Sequence, residues 1–210
     1  PTSPISEATV LRGILAAAGR AALDRLRHVE TRRKPDGSVV TLADLEAQER
    51  IAEGLTRHFP GVPIIGEEEG LDADPGEGAR WYVDPIDGTG AFVEGLAHWG
   101  PTIGLVDGDE PQLGALYQPR LDELWIAGHG QGTWVDGERL QPGPERAPPH
   151  RQVLYVPSRF HRVGVAWPGK IRALGSTAVH LAQIAFGAGP AAIIGRWSPW
   201  DVAGGILLVE

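Results

Sequence analysis

The sequence predicts a mixed fold, α+β passing into α/β, built as layers of helix and sheet. Three features predict it: two helical segments come first, short β segments fill the middle, and strand–helix alternation follows a proline-rich stretch. The 210 residues make one compact unit with two lobes, residues 1–145 and 146–210. At 42% hydrophobic and 22% charged, such a chain buries a substantial core without cross-links.

Residues from about Ser6 to Arg27 form the first helix, because Leu11, Ile14, Leu15, Ala18, Ala22 and Leu26 recur at three- and four-residue steps. A second runs from about Leu42 to His58, with Leu45, Ala52, Leu55 and Phe59 as its buried stripe, and Pro60-Gly61 ends it. Val62 to Ile65 and Arg80 to Val83 are short apolar strands, and each leads straight into carboxylates. Thr102 to Val106, Gln112 to Tyr117, Glu123 to Ala127 and Gly132 to Val135, separated by turns such as Asp107-Gly108, form an antiparallel meander. Gln141 to His150 carries four of the 18 prolines and marks the lobe boundary. Beyond it come a strand (Val153 to Val156), a helix (Ser176 to Phe186), a strand (Ala191 to Ile194) and a helix from Trp200.

Composition excludes several roles. A net charge of −8 makes the chain a poor binder of nucleic acid. There is no cysteine, hence no disulfide, thiolate site or thiol nucleophile; a reducing compartment fits, and the cytoplasm is the expectation. No run of about 18 apolar residues predicts a membrane span, and no signal-peptide pattern is visible. The seven histidines show no paired spacing suited to zinc. His98 is expected to be a partly buried, satisfied side chain.

The chemistry concentrates in Asp84-Pro85-Ile86-Asp87-Gly88-Thr89-Gly90-Ala91-Phe92. Two carboxylates stand three positions apart across a bend in which Pro85 holds Asp84 extended, so both acids can aim at one point. Hard cations want oxygen ligands, and amides of Gly88 and Thr89, if they open a helix, suit phosphate oxygens. Any one Asp-Pro or Asp-Gly pair is an ordinary turn. Seven specified positions arise by chance in fewer than about one in a million chains of this length.

Here the chain resembles the inositol monophosphatase superfamily of Mg²⁺-dependent, lithium-sensitive phosphatases. Three more of its elements occur in order: Thr41-Leu42-Ala43-Asp44, Gly66-Glu67-Glu68 and Trp200-Asp201-Val202-Ala203-Gly204-Gly205. The resemblance implies an αβαβα sandwich of the inositol monophosphatase and fructose-1,6-bisphosphatase type, its C-terminal part incomplete at Glu210, and a homodimer. It implies two or three Mg²⁺ ions held by Glu67, Asp84, Asp87, Asp201 and the Ile86 carbonyl. Asp44 and Thr89 match the pair that positions and deprotonates the attacking water, with Glu67 beside them in the catalytic set. Asp87, Gly88, Thr89 and Thr177 match substrate and phosphate contacts. The substrate implied is a small phosphorylated metabolite.

Local readings compete at some positions. Thr41–Asp44 and Ser198–Asp201 each read equally as helix capping boxes, and a cap and a ligand use different oxygens. Glu68, Glu69 and Lys34 read as solvated surface. Ile194 stands where inositol-specific members place a glutamate, which argues against a strict inositol site, and Arg196 suits a second anion. Gly95-Leu96-x-x-Trp99-Gly100 resembles members that act on histidinol phosphate. Fructose bisphosphate and nucleotide 3′-phosphates stay open as substrates, as does a catalytically silent metal- or phosphate-binding protein.

Overall fold

Leu11, Ile14, Leu15, Ala18 and Ala22 line one buried stripe of the first helix, α1 (Pro4–Arg25), as their spacing predicts. The computed structural model describes residues 4–26, 29–35, 37, 39–73, 76–141, 148–164 and 166–210; the predicted lobe boundary at 145/146 lies outside them. After α1 comes a short hairpin, β1 (Thr31–Arg33) and β2 (Val39–Thr41), between the two predicted helices. The second helix, α2 (Leu42–His58), occupies its predicted span, but the stripe differs. Leu45 is 43% exposed, and the buried face is Ala43, Asp44, Ala47, Gln48, Ile51 and Leu55. Two polar side chains turn inward because each has partners: Gln48 donates to the Glu68 carbonyl and accepts from the Glu68 amide.

Seven strands form one sheet in sequence order: β3 (Ile64–Gly66), β4 (Ala79–Asp87), β5 (Gly100–Asp107), β6 (Glu110–Gln118), β7 (Glu123–Gly128), β8 (Gly132–Val135) and β9 (Glu138–Arg139). Only β3 and β4 pair in parallel; the rest is the expected meander. β4 runs further than predicted, through Asp87, and its pairing with β5 shifts register between Asp84 and Asp87. Pro85 has no amide to give the ladder, so the motif is an irregular strand end. A one-turn helix, α3 (Thr89–Val93), follows, with Gly88 at φ 94° before it.

The rest of the described chain supplies β10 (Val153–Tyr155), β11 (Lys170–Arg172), α4 (Thr177–Ala185), β12 (Ala191–Ala192) and α5 (Pro199–Ile206). Its three strands form a parallel sheet of order β11-β10-β12. One face of the large sheet buries Trp81, Val83 and Ile103 against α1 and α2. Leu116, Trp125 and Ala127 pack instead on Ala178, Val179 and Ala182 of α4 and on Leu207 and Leu208 beyond α5. The Tyr155 ring lies 5.5 Å from His180 of α4, which joins the small sheet to that helix layer. The described residues therefore stack helix, sheet, helix, sheet, the order the fold class requires. None of their helices is long and apolar enough to cross a membrane.

Close approach of α5 to the sheet sets the site. A Cβ on Gly104 of β5 would stand 2.4 Å from the Ala203 backbone carbon, and one on Gly204 would stand 2.0 Å from Thr102 Oγ1. Only glycine lets the two backbones come this near, and the contact brings Asp201 over the end of β4.

Candidate active site

Parallel pairing of β3 with β4 puts Gly66 beside Val83, and the Glu67 amide donates to the Val83 carbonyl at 3.0 Å. Glu67 and Asp84 thus leave the sheet side by side. Asp87 follows at the end of β4, and Asp201 arrives on the first turn of α5. Asp84 is buried, and its carboxyl is pushed well above the usual range. Burial is the main cause; the charges of Glu67, Asp87 and Asp201 add to it, and Glu67 stands within hydrogen-bonding reach.

Each acid around Asp84 also has a local partner. Asp84 Oδ1 accepts from the Ile86 amide at 2.9 Å. Asp87 accepts from Ser176 Oγ at 2.7 Å, from the Thr177 amide at 3.1 Å and from the Ala178 amide, so it caps α4 from another part of the fold. Burial lifts its pKa to about 6; these donors work the other way, and Asp201 adds to the rise. Asp201 accepts from the Ser198 amide and is raised by burial and by Glu67. With the side chains so turned, no three His, Asp or Glu among the described residues form a closed ion cage. The acids converge electrostatically on Asp84 while each keeps a hydrogen bond of its own.

Asp44 stands beside this group, completely buried on the inner face of α2. Its Oδ2 accepts from the Thr41 amide at 2.7 Å and the Thr41 hydroxyl at 2.6 Å, and its Oδ1 accepts from Thr89 Oγ1 at 3.2 Å. Burial raises its pKa against the pull of Thr41 and Thr89, and the charge of Glu67 adds to the rise. Thr89 Oγ1 is also 3.2 Å from the Ile86 carbonyl, which keeps a second lone pair. Gly88 is partly buried against Ser176 and Trp99. Thr177 is partly buried, and its amide is committed to Asp87.

Two surface expectations, and one for a partly buried side chain, are corrected. Lys34 is not solvated: its ammonium bridges Glu67 at 2.8 Å and Glu68 at 2.7 Å, with the side chain 20% exposed. Burial opposes its charge, but the two acids outweigh that and hold its pKa above the usual range. Glu68 is buried rather than solvated, and burial, opposed by Lys34, raises it to about 7. Glu69 is exposed, as expected. His98 is partly buried, but its Nδ1 has no hydrogen-bond partner among the described residues, so that nitrogen is not satisfied there. It lies near His180, whose pKa is pushed down to about 4 by burial and then by His98. From sequence Gln48 has no role, and Ser176 stands only within Gly175-Ser176-Thr177-Ala178, which matches a family element near the substrate; their partners lie 20 and 89 positions away.

Known proteins share this arrangement of elements. The profile of the inositol monophosphatase family matches residues 5–210. A fructose-1,6-bisphosphatase/inositol-1-monophosphatase of Aquifex aeolicus is 31% identical over 188 residues, covering 84% of this chain and 71% of that protein. A histidinol-phosphatase of Chlorobaculum parvum is 33% identical over 205 residues, covering 92% and 78%. Among solved structures, the extragenic suppressor protein SuhB of Bartonella henselae superposes with a TM-score of 0.83 at 26% identity, covering 97% of this chain and 84% of that one. A Thermotoga maritima IMPase gives 0.82 at 27% identity, covering 97% and 82%.

Proposed function

The chain belongs to the inositol monophosphatase family, and from that premise we propose that it hydrolyses a small phosphate monoester with the help of divalent cations at its carboxylate cluster. One observation carries this reading: buried Asp84 faces Glu67, Asp87 and Asp201, while the neighbouring cation, Lys34, is committed to Glu67 and Glu68. Acids gathered this closely are stable as anions only beside positive charge. The donors are all oxygen, which suits hard Mg²⁺, in the two or three ions the family resemblance implies. Glu67, Asp84, Asp87, Asp201 and the Ile86 carbonyl would hold them. Bound there, such ions supply Lewis-acid activation of water and neutralise charge on the phosphate.

The chain's own residues place the water and the ester. Thr89 Oγ1, already on Asp44 Oδ1, orients the attacking water, and Asp44 receives its proton. A buried carboxylate with a raised pKa is the better base for this task. Oxygen attacks phosphorus, the P–O ester bond breaks, and the departing alkoxide takes a proton from solvent water while Asp44 gives its own back to solvent. Amides of Gly88 and Thr89 and the Thr177 hydroxyl would hold the phosphate, a role supported by their match to the family's motifs. The ester is a sugar, polyol or amino-alcohol monophosphate; histidinol phosphate gains support from the relative of that activity and from Gly95-Leu96-x-x-Trp99-Gly100.

Phosphate release from a panel of monoesters, with Mg²⁺, with chelator, and with Li⁺ added to Mg²⁺, tests the reading. Turnover is expected with Mg²⁺, to be abolished by chelator and suppressed by Li⁺. Silence across the panel from folded protein would leave a binding protein in its place.

A further inference from the structure

We propose that the basic margin of the small parallel sheet, centred on its edge strand β11, is a docking surface for single-stranded nucleic acid. The inference goes beyond the hydrolase reading and does not depend on it.

The net charge of −8 is a sum over two unlike stretches of chain. Residues 1–145 carry 25 Asp or Glu against 12 Lys or Arg, whereas residues 146–200 carry seven Lys or Arg and no acid at all. A sign asymmetry of this size marks a surface for a charged partner. Acids elsewhere on the molecule do not cancel it, because physiological salt screens a charge beyond about 8 Å.

The fold gathers these cations along one margin. Lys170 and Arg172 are exposed on β11 two positions apart, hence on the same side and roughly 6–7 Å from each other. The Lys170 amide donates to the Gln152 carbonyl at 2.8 Å, which sets exposed Arg151 close by. At the other end of the strand the Val156 amide donates to the Arg172 carbonyl at 2.9 Å. From there the chain runs through Pro157 to Arg159 and Arg162, exposed residues that bracket a single tight helical turn. Gly195 lies against Pro157, where a Cβ would stand 3.4 Å from its ring, and the next residue is exposed Arg196. None of these six cations forms an ion pair among the described residues.

Charged side chains on an edge strand also discourage sheet-to-sheet aggregation, and that reading covers Lys170 and Arg172. It does not cover Arg159, Arg162 and Arg196, which stand off the strand, or a stretch of 55 residues without one acid to pair them. Five of the six cations are arginine, whose flat fork matches phosphate oxygens and whose plane stacks on rings. Rings are interleaved with them: Phe160 and His161 stand between Arg159 and Arg162, and Trp197, 62% exposed, follows Arg196. Cations that track a phosphate backbone and exposed rings on which bases stack are what single-stranded nucleic acid requires. An acidic peptide would use the charges and leave the rings without a role.

The test is fluorescence anisotropy of a labelled oligo(U) of about 20 nucleotides, long enough to span an ordinary single-strand site, titrated with the whole chain in EDTA, where no metal-dependent turnover intrudes. Saturable binding is expected at low salt. With about four cations on phosphates, affinity should fall about fiftyfold between 50 and 200 mM salt. Arg159→Gln, Arg172→Gln and Arg196→Gln together should flatten that salt dependence and weaken low-salt binding by about 30-fold or more. Each change alone should lower the logarithmic salt slope by about 0.7, which keeps the test open should the triple variant not fold. Trp197→Ala should weaken binding about tenfold with the slope unchanged, as loss of a stacking face does and loss of a charge does not. Arg20→Gln, Arg32→Gln and Arg57→Gln, three exposed cations of the acidic stretch, should together leave binding as it was. No binding by folded wild type at low salt, a triple variant that binds like wild type, or an equal loss in the control variant overturns the proposal. Tighter binding of poly-glutamate or of phosphatidylserine vesicles than of oligo(U), lost in the same triple variant, overturns it in favour of an acidic protein or a membrane surface.

Discussion

At the start of α2, Thr41 and Asp44 form a capping box; at the start of α5, Ser198 and Asp201 form another. In each, Asp Oδ2 accepts the backbone amide of the cap residue. The second oxygens differ. Asp44 is completely buried, and its Oδ1 meets the Thr89 hydroxyl. Asp201 is only partly buried, its Oδ1 accepts no hydrogen bond from the described residues, and burial, with the charge of Glu67 adding to it, pushes its pKa up. A cap fixes a carboxylate in place and leaves one oxygen free. Facing a hydroxyl, that oxygen suits proton movement; facing other acids, it suits a cation.

The largest expected effect sets these two against each other. Asp44→Asn keeps the shape but removes the proton acceptor, so kcat should fall by about 10³-fold with little change in the Mg²⁺ concentration needed for half-maximal rate. Asp201→Asn should raise that Mg²⁺ requirement by roughly tenfold or more and recover much of kcat at high Mg²⁺. Steady-state kinetics over a Mg²⁺ series checks both. Exchanged phenotypes, or identical ones, would erase the distinction between the two helix starts.

A pH effect comes next. Asp87 at about 6 and Glu68 at about 7 both stand above their unfolded values, 3.8 and 4.5, with burial the main cause in each. Such acids hold protons more tightly folded than unfolded. Without metal, the stability they confer is fully present below about pH 4 and is lost as pH rises through 6 and 7. His180, pushed down to about 4, works in the opposite direction, so the clean measure is the rise in Tm that Mg²⁺ produces. Cations displace protons from these acids at low pH and meet anions at high pH. The Mg²⁺-induced rise should therefore be larger at pH 8 than at pH 5, by on the order of 5 °C. It should shrink in Asp201→Asn and persist in Asp44→Asn. A rise that is flat with pH would dissociate the carboxylate cluster from metal binding.

Much of this contrast was readable in the chain, and the reason is locality. A capping box spans four residues, so both helix starts and the whole span of α2 could be read directly. Asp84, Asp87 and Glu67 stood out because short strands hand them over within a few positions. What failed depended on the far side of a contact. Leu45 looked like core until Asp44 and Gln48 took the inner face of α2, each for partners on other elements. β1 has all three residues exposed and no alternation, so nothing local marked it as a strand. Lys34 and Glu68 looked solvated because only the folded chain brings the segment after β1 against the end of β3. The Ser176–Asp87 bond joins the start of α4 to the end of β4 across 89 positions, and no periodicity encodes a partner at that distance.

The smallest effect separates the caps themselves. Thr41→Ala removes the hydroxyl that donates to Asp44 Oδ2 and accepts from the Ala43 amide at 3.1 Å, inside a fully buried setting. Ser198→Ala leaves untouched the backbone amide that holds Asp201. Loss of a capping side chain costs about 1 kcal/mol, more where a buried polar group is left short of a partner. Thr41→Ala should therefore lose about 1–2 kcal/mol in urea unfolding and Ser198→Ala about 0.5 kcal/mol. Because the Thr41 hydroxyl opposes the burial-driven rise of Asp44, its removal should also lift the acidic limb of the kcat profile, an effect Ser198→Ala has no route to produce. Equal stability losses, with that limb unmoved in both variants, would show that the hydroxyl at Thr41 does no more than cap a helix.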